Sequence, residues 1–211
     1  MRLTIIFERH NVLCLYFIKM INYFQVLGIP KKLSIDTTGL EKIYHDLSKK
    51  NHPDFFLNQG EDKYLDALET SSQINQGYKI LKDPLARINY ILALDAPQLL
   101  AEKDNSVAPD LLMKVMEIQE TIESYHDADE REKEAIVNEL AEIKEDLNED
   151  VNSILNDINE MFKKYDEAIE KNEDTIETLM KMKTLLHKRN YINTLIHTID
   201  AEVFGGEKIK H

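Results

Sequence analysis

Apolar positions recur at intervals of three and four along most of the chain, the period of one-sided α-helices rather than of strands. Between residues 20 and 94 the stripes are short. Tyr23, Phe24, Val26 and Leu27 form an apolar turn closed by Gly28-Ile29-Pro30. Asp36 can cap a following helix that shows Leu40, Ile43, Tyr44 and Leu47 on one face and Lys42, His45, Lys49 and Lys50 on the other. Pro53 disfavours helical backbone in the residue before it, so this helix is expected to stop near Asn51. Beyond a polar loop with Asn58, Gln59 and Gly60, another stripe reads Ala67, Ser71, Ile74, Tyr78 and Leu81. Asp83-Pro84 then opens a helix carrying Leu85, Ile88, Ile91 and Leu92, with Asp83 as its cap and proline in its first turn.

Residues 95 to 109 contain two prolines and polar links and read as a linker. After it the stripes lengthen. Leu111, Val115, Ile118 and Ile122 predict a helix ending near Tyr125. Ile136, Leu140, Ile143, Leu147, Val151, Ile154, Ile158, Phe162, Tyr165 and Ile169 follow without a break, enough for a helix of roughly 50 Å. Asn172 or Asp174 marks the turn. A third helix runs through Leu179, Leu185, Ile192, Ile196, Ile199 and Val203, and Gly205-Gly206 ends it. Helices this long with one apolar face need partners, and three antiparallel helices packed together supply them. The expected fold is all-α, with a small helical domain over 20–94, a linker over 95–109, a three-helix bundle over 110–204 and a tail over 205–211.

The composition narrows the function classes. The six glycines and five prolines in 211 residues argue against folds that hold nucleotides in Gly-rich loops. A single cysteine, Cys14, permits neither an internal disulfide nor a multi-cysteine metal site, which suits a reduced, cytoplasmic protein. The net charge of −13 is uneven: residues 1–100 hold 12 Lys or Arg and 11 Asp or Glu, whereas residues 101–211 hold 14 and 28. The acidic half should be repelled by nucleic acid and by anionic membrane; such a surface more often serves solubility than a partner, and it leaves room for a basic protein partner. Residues 1–19 are apolar but broken by Glu8, Arg9 and His10, too short to span a bilayer and without a small-residue cleavage site. They are expected to be a dispensable or mis-started extension before Met20.

No serine elbow, phosphate-binding loop or supported Cys–His pair is present, and the carboxylates of the long helix read as a solvated face, so neither enzyme activity, a cofactor nor a metal site is expected. Met113, Met116, Met161, Met180 and Met182 suit either a soft-metal or groove site or gap filling in a bundle core. One constellation is specific. His52-Pro53-Asp54 arises by chance about once in a hundred chains of this length. It follows directly on a basic amphipathic helix. Pro53 fixes the backbone without offering a donor, His52 presents two ring nitrogens, and Asp54 is a bidentate acceptor. A mere helix stop would explain the tripeptide, but not the lysine face beside it.

NYFQVLGIP, the basic helix, HPD and the helix after it resemble a J-domain, the module that docks on a DnaK-type heat-shock chaperone and stimulates its ATP hydrolysis. INQGYKILKDPLARINYIL at 74–92, with the acidic bundle behind it, resembles the HscB family, co-chaperones of iron–sulfur cluster assembly whose bundle binds an IscU-type scaffold. The resemblance implies that His52, Pro53 and Asp54, with Lys42, Lys49 and Lys50, contact the chaperone. It implies that Leu112, Met113, Met116, Glu117, Glu120 and Glu123, within DLLMKVMEIQETIE, and Tyr191, within KRNYINTL, contact the scaffold. Leu112 and Met116 lie off the Leu111–Val115–Ile118–Ile122 stripe, so the bundle core need not hide them. Two positions depart from the family pattern: Asn51 stands where an aromatic is common, and Phe55 replaces a commoner basic residue. Both are expected to soften contacts with the chaperone. No cysteine cluster precedes the J-domain, which favours a bacterial-type member.

The expected function is therefore that of a co-chaperone, a monomer or weak dimer, that activates a DnaK- or HscA-type ATPase and delivers the scaffold to it. A J-domain protein with another client and a self-assembling structural bundle are the alternatives. The long 136–169 stripe is the best support for the latter, since such a stripe also makes an intermolecular seam.

Overall fold

The computed structural model describes residues 20–101 and 109–205. The expectations for residues 1–19, for most of the linker and for the tail beyond Gly205 lie outside the described residues. The described chain is helical: α1 Tyr23–Val26, α2 Thr37–Lys50, a 3-10 turn Pro53–Phe56, α3 Glu61–Lys82, α4 Pro84–Asp95, α5 Pro97–Ala101, α6 Pro109–Asp127, α7 Glu130–Lys171 and α8 Ile176–Glu202. It forms two compact units that divide between Pro97 and Gln98.

In the first unit α3 is the central element, packed against α1, α2, α4 and the 3-10 turn. Asn22 caps α1 by accepting from the amides of Phe24 and Gln25, Asp36 caps α2 through the Thr38 amide, and Asp83 caps α4 through the amides of Leu85 and Ala86. These caps satisfy donors that have no partner within the helix. Phe24, Leu27, Leu33, Leu40, Ile74, Leu81, Ile88, Ile91 and Leu92 form the core. Gly77 lies mid-helix because Tyr23 crosses it: a Cβ there would stand 3.1 Å from Tyr23 Cδ1. Tyr23 is tied down further, its amide donating to Tyr90 Oη at 2.8 Å and its own hydroxyl to Gln76 at 2.9 Å.

The second unit is an acidic bundle. With α7 connected to α6 by Ala128-Asp129 alone, the two helices run antiparallel, and α8 packs on both. At 42 residues α7 extends about 63 Å. It begins with a full capping box, Asp129 accepting from the amides of Arg131 and Glu132 while Glu132 accepts from the Asp129 amide. It ends at Asn172 in left-handed backbone, φ 55°. Leu140, Leu147, Ile154, Ile158, Phe162 and Tyr165 are buried and Ile136, Ile143, Val151 and Ile169 half-buried, so the α7 stripe turns inward along its length, most fully in its middle.

Two expectations need correction. The buried face of α8 consists of Leu179, Met182, Leu186, Ile192, Leu195 and Ile199, whereas Leu185, Ile196 and Val203 are only half-buried. The segment 95–109 is not wholly irregular, since α5 forms within it. Leu99 of α5 is buried, and its carbonyl accepts from the buried ammonium of Lys183 on α8.

Candidate functional site

The first candidate site lies at the C-terminal end of α2. Asn51 closes the helix: its amide and its side-chain Nδ2 both donate to the Leu47 carbonyl, at 2.9 and 2.8 Å. The Asn51 side chain thus serves as a cap, a role its place in the sequence did not suggest. His52 then turns extended, φ −66° and ψ 127°, the conformation that a following proline favours. Pro53 opens the 3-10 turn, where its missing N–H costs nothing.

His52 Nδ1 accepts from the Asp54 amide at 3.3 Å, which puts the proton of a neutral imidazole on Nε2. The Asp54 carboxylate lies 3.5 Å from the same Nδ1. Both side chains are exposed. Lys49 and Lys50 occupy the last turn of α2, where cations meet the negative pole of the helix, and both are exposed, as is Lys42. The six residues are therefore gathered at one helix end and its face. A brace between α2 and α3 holds that face. Tyr44 stacks on Tyr78 with centroids 4.1 Å apart and planes at 11°, and its hydroxyl donates to Asn75 at 3.0 Å. Lys82 lies over the Tyr78 ring at 5.2 Å, and its interaction with Tyr78 raises its pKa above the ordinary lysine value.

Phe55 also belongs to this loop. Its ring meets the His52 imidazole near edge-on, 6.1 Å between centroids at 67°, and its carbonyl accepts from Gln59 Nε2 at 2.8 Å. Only its departure from the family pattern drew notice to it in the sequence.

The second candidate site is the outer face of α6. Leu112, Met113 and Met116 are 50%, 72% and 56% exposed, while Leu111, Ile118 and Ile122 are buried on the other side. Glu117, Glu120 and Glu123 are exposed on the same outer side. Thr121 and Ser124 bond back to carbonyls four residues earlier, so neither adds a free hydroxyl to the patch. Lys114 anchors α6 to α7 through Asp150 at 2.7 Å. Tyr191 lies on a different helix, α8, half-buried. The methionines divide: Met182 fills the core, Met161 is half-buried, and Met180 is exposed like Met113 and Met116.

Among the described residues no helix is long and apolar enough to cross a membrane. Chemically the first site can accept a cation or an amide and donate from an imidazole, and the second can bury thioether and leucine surface beside carboxylates.

The model of the DnaJ domain matches residues 22–90, and that of the HSCB C-terminal oligomerisation domain matches residues 107–200. Similar relatives are named co-chaperone protein HscB homologues. The Vibrio cholerae protein is 38% identical over 103 residues, 49% of this chain and 60% of the relative. The Vibrio vulnificus protein is 31% identical over 138 residues, 61% of this chain and 81% of the relative. The chain thus spans less than two thirds of the Vibrio cholerae relative and four fifths of the other. Among solved structures, the chaperone HscB from Vibrio cholerae is similar with a TM-score of 0.50 at 24% identity, covering 86% of this chain and 96% of that one. Human co-chaperone HscB gives 0.53 at 23% identity, covering 86% and 82%. At these identities the solved structures bear on the fold alone, while the sequence relatives and the two domain matches carry the kinship: the chain belongs to the HscB co-chaperone family.

Proposed function

We propose that this protein stimulates the ATPase of a DnaK- or HscA-type chaperone and delivers to it an IscU-type scaffold, in the service of iron–sulfur cluster assembly. The observation that carries the reading is the exposed pair His52 and Asp54 on a closed 3-10 turn, directly after the Lys49-Lys50 end of a basic helix. Lys42, Lys49 and Lys50 steer the domain to an acidic surface. Pro53 fixes the turn, and His52 and Asp54 make the directional contacts, Asp54 as a bidentate acceptor. The α6 patch takes the scaffold: Leu112, Met113 and Met116 supply apolar area, Glu117, Glu120 and Glu123 supply charge at its border, and Tyr191 of α8 is the further contact that the family resemblance implies. The protein makes and breaks no bond itself. Holding client and chaperone together raises the local concentration of one at the other, as any tether does. The protein acts in the cytoplasm as a monomer or weak dimer.

Steady-state ATP hydrolysis by the chaperone, with and without scaffold, tests this. The wild type should stimulate, His52→Gln should not, and Leu112→Ala/Met116→Ala should lose only the scaffold-dependent part. Stimulation that ignores scaffold points to another client; no stimulation by the wild type refutes the reading.

A further inference from the structure

Phe55 is 61% exposed on the 3-10 turn. The neighbouring Phe56 is half-buried. The exposure of Phe55 is not a matter of slack. Its amide donates to the His52 carbonyl at 3.1 Å, its carbonyl accepts from Gln59 Nε2 at 2.8 Å, and the Gln59 amide donates to the Phe56 carbonyl at 3.0 Å. The backbone of the turn is closed on both sides of the ring. The ring itself stands edge-on to the His52 imidazole, 6.1 Å between centroids. A large apolar surface is thus presented by a fixed turn one side chain away from the groups that dock on the chaperone.

We propose that Phe55, rather than softening the contact as its departure from the family pattern suggests, is a hydrophobic anchor of the chaperone interface, seated in an apolar recess of the chaperone that is bordered by carboxylates. This rests on the reading under Proposed function. Continuity supports it: a partner surface that reaches both His52 and Asp54 cannot avoid covering a ring in contact with His52. The charge around the ring sets the border, since Lys49 and Lys50 end the preceding helix and call for acidic groups opposite. The physics divides the labour. Burial of an aromatic ring contributes affinity and is insensitive to salt, whereas the lysines contribute steering that salt screens. The ring does not take part in the directional contacts, so it should govern how tightly the chaperone is held rather than how far its hydrolysis is accelerated.

The test is a titration of a DnaK-type chaperone with full-length wild type, Phe55→Ala, Phe55→Leu and His52→Gln, reading ATP hydrolysis at low and high salt. Thermal melts check that each variant is folded. Phe55→Ala should raise the half-maximal concentration roughly tenfold at both salt levels while reaching the wild-type maximum, and Phe55→Leu should recover most of the loss. His52→Gln should lose the maximum itself. An unchanged half-maximal concentration for Phe55→Ala overturns the anchor while leaving the co-chaperone reading intact. A lowered maximum overturns it too, because the ring would then act by holding His52 in place. Sedimentation of the same variants completes the set: a Phe55→Ala effect on self-association without one on chaperone affinity would assign the ring to a second copy of this chain. A wild type that fails to stimulate refutes both readings.

Discussion

Arg87 is a charged side chain sealed inside the first unit, 2% exposed. Its Nε donates to the Leu81 carbonyl at 2.7 Å, Nη2 to the Lys82 carbonyl at 3.4 Å, and Nη1 to the Leu33 carbonyl across the unit. Leu81 and Lys82 end α3, so Arg87 satisfies carbonyls that have no partner within the helix and sits at its negative pole. Sequence reading took only the apolar members of α4 as core and missed Arg87, because residue type places an arginine at the surface unless its partners are known. Replacing it with Met should keep the volume but orphan buried carbonyls, lowering stability by about 2–4 kcal/mol in urea unfolding. Arg87→Lys should fall between the two, since an ammonium cannot span the same fork. A Met variant as stable as wild type would refute this account. Tyr90 belongs to the same class. It accepts from the Tyr23 amide, donates to the Ile21 carbonyl at 2.7 Å, and burial raises its phenol pKa above the ordinary value.

At the scale of elements, α7 shows how far periodicity reaches. Its apolar residues keep to one stripe over ten positions, so both the helix and its buried face were legible. The face of α8 was legible in part: Leu179, Ile192 and Ile199 are buried, but apolar residues surround that helix and several stripes fit, so that Met182, Leu186 and Leu195 are buried where Leu185, Ile196 and Val203 are half-buried. Helix α5 was missed for another reason: five residues are too few to show a period, and burial of Leu99 with the Lys183 contact holds them. The start of α7 makes a further prediction. The amides of Glu132 and Arg131 bond to the Asp129 carboxylate and hold its pKa below the ordinary value. A depressed carboxylate stabilises the folded state fully above its unfolded pKa, about 4, and that contribution disappears as pH falls through the folded value. Asp129→Asn keeps a good cap but does not titrate. Its melting temperature should therefore fall less steeply than that of the wild type between pH 5 and 2.5, with all other groups common to both. Parallel acid limbs would show that the cap does not couple to pH. Glu177, held down by its hydrogen bond from Lys181 at 2.6 Å, adds to the wild-type slope equally in both proteins.

For the whole molecule, two surfaces on two units set the question of what joining them achieves. The backbone of the first unit's loop was legible because one proline constrains it locally, and the exposure of Leu112 and Met116 because a helical wheel separates them from the core stripe, whereas the role of either surface comes only from the family resemblance. Tyr191 follows no such rule, since periodicity does not say which residues of different helices meet. The division between Pro97 and Gln98 supplies a test of the tether. A fragment of residues 20–97 retains the whole core around Ile74, Leu81 and Ile88, and a fragment of 98–211 retains Leu99 and its Lys183 partner. The first alone should stimulate chaperone hydrolysis with a half-maximal concentration close to that of the intact protein, because its loop and lysines are complete. The second alone should bind scaffold and leave hydrolysis untouched. Mixed in equal amounts they should fail to reproduce the scaffold-dependent gain of the intact chain at micromolar concentrations, because a short linker supplies a local concentration on the order of millimolar that mixing does not. Raising the second fragment and the scaffold together should not rescue it until that range is approached. A mixture that matches the intact protein at equal concentration would mean that the two surfaces act without the connection, and that delivery by tethering is not how this chain works.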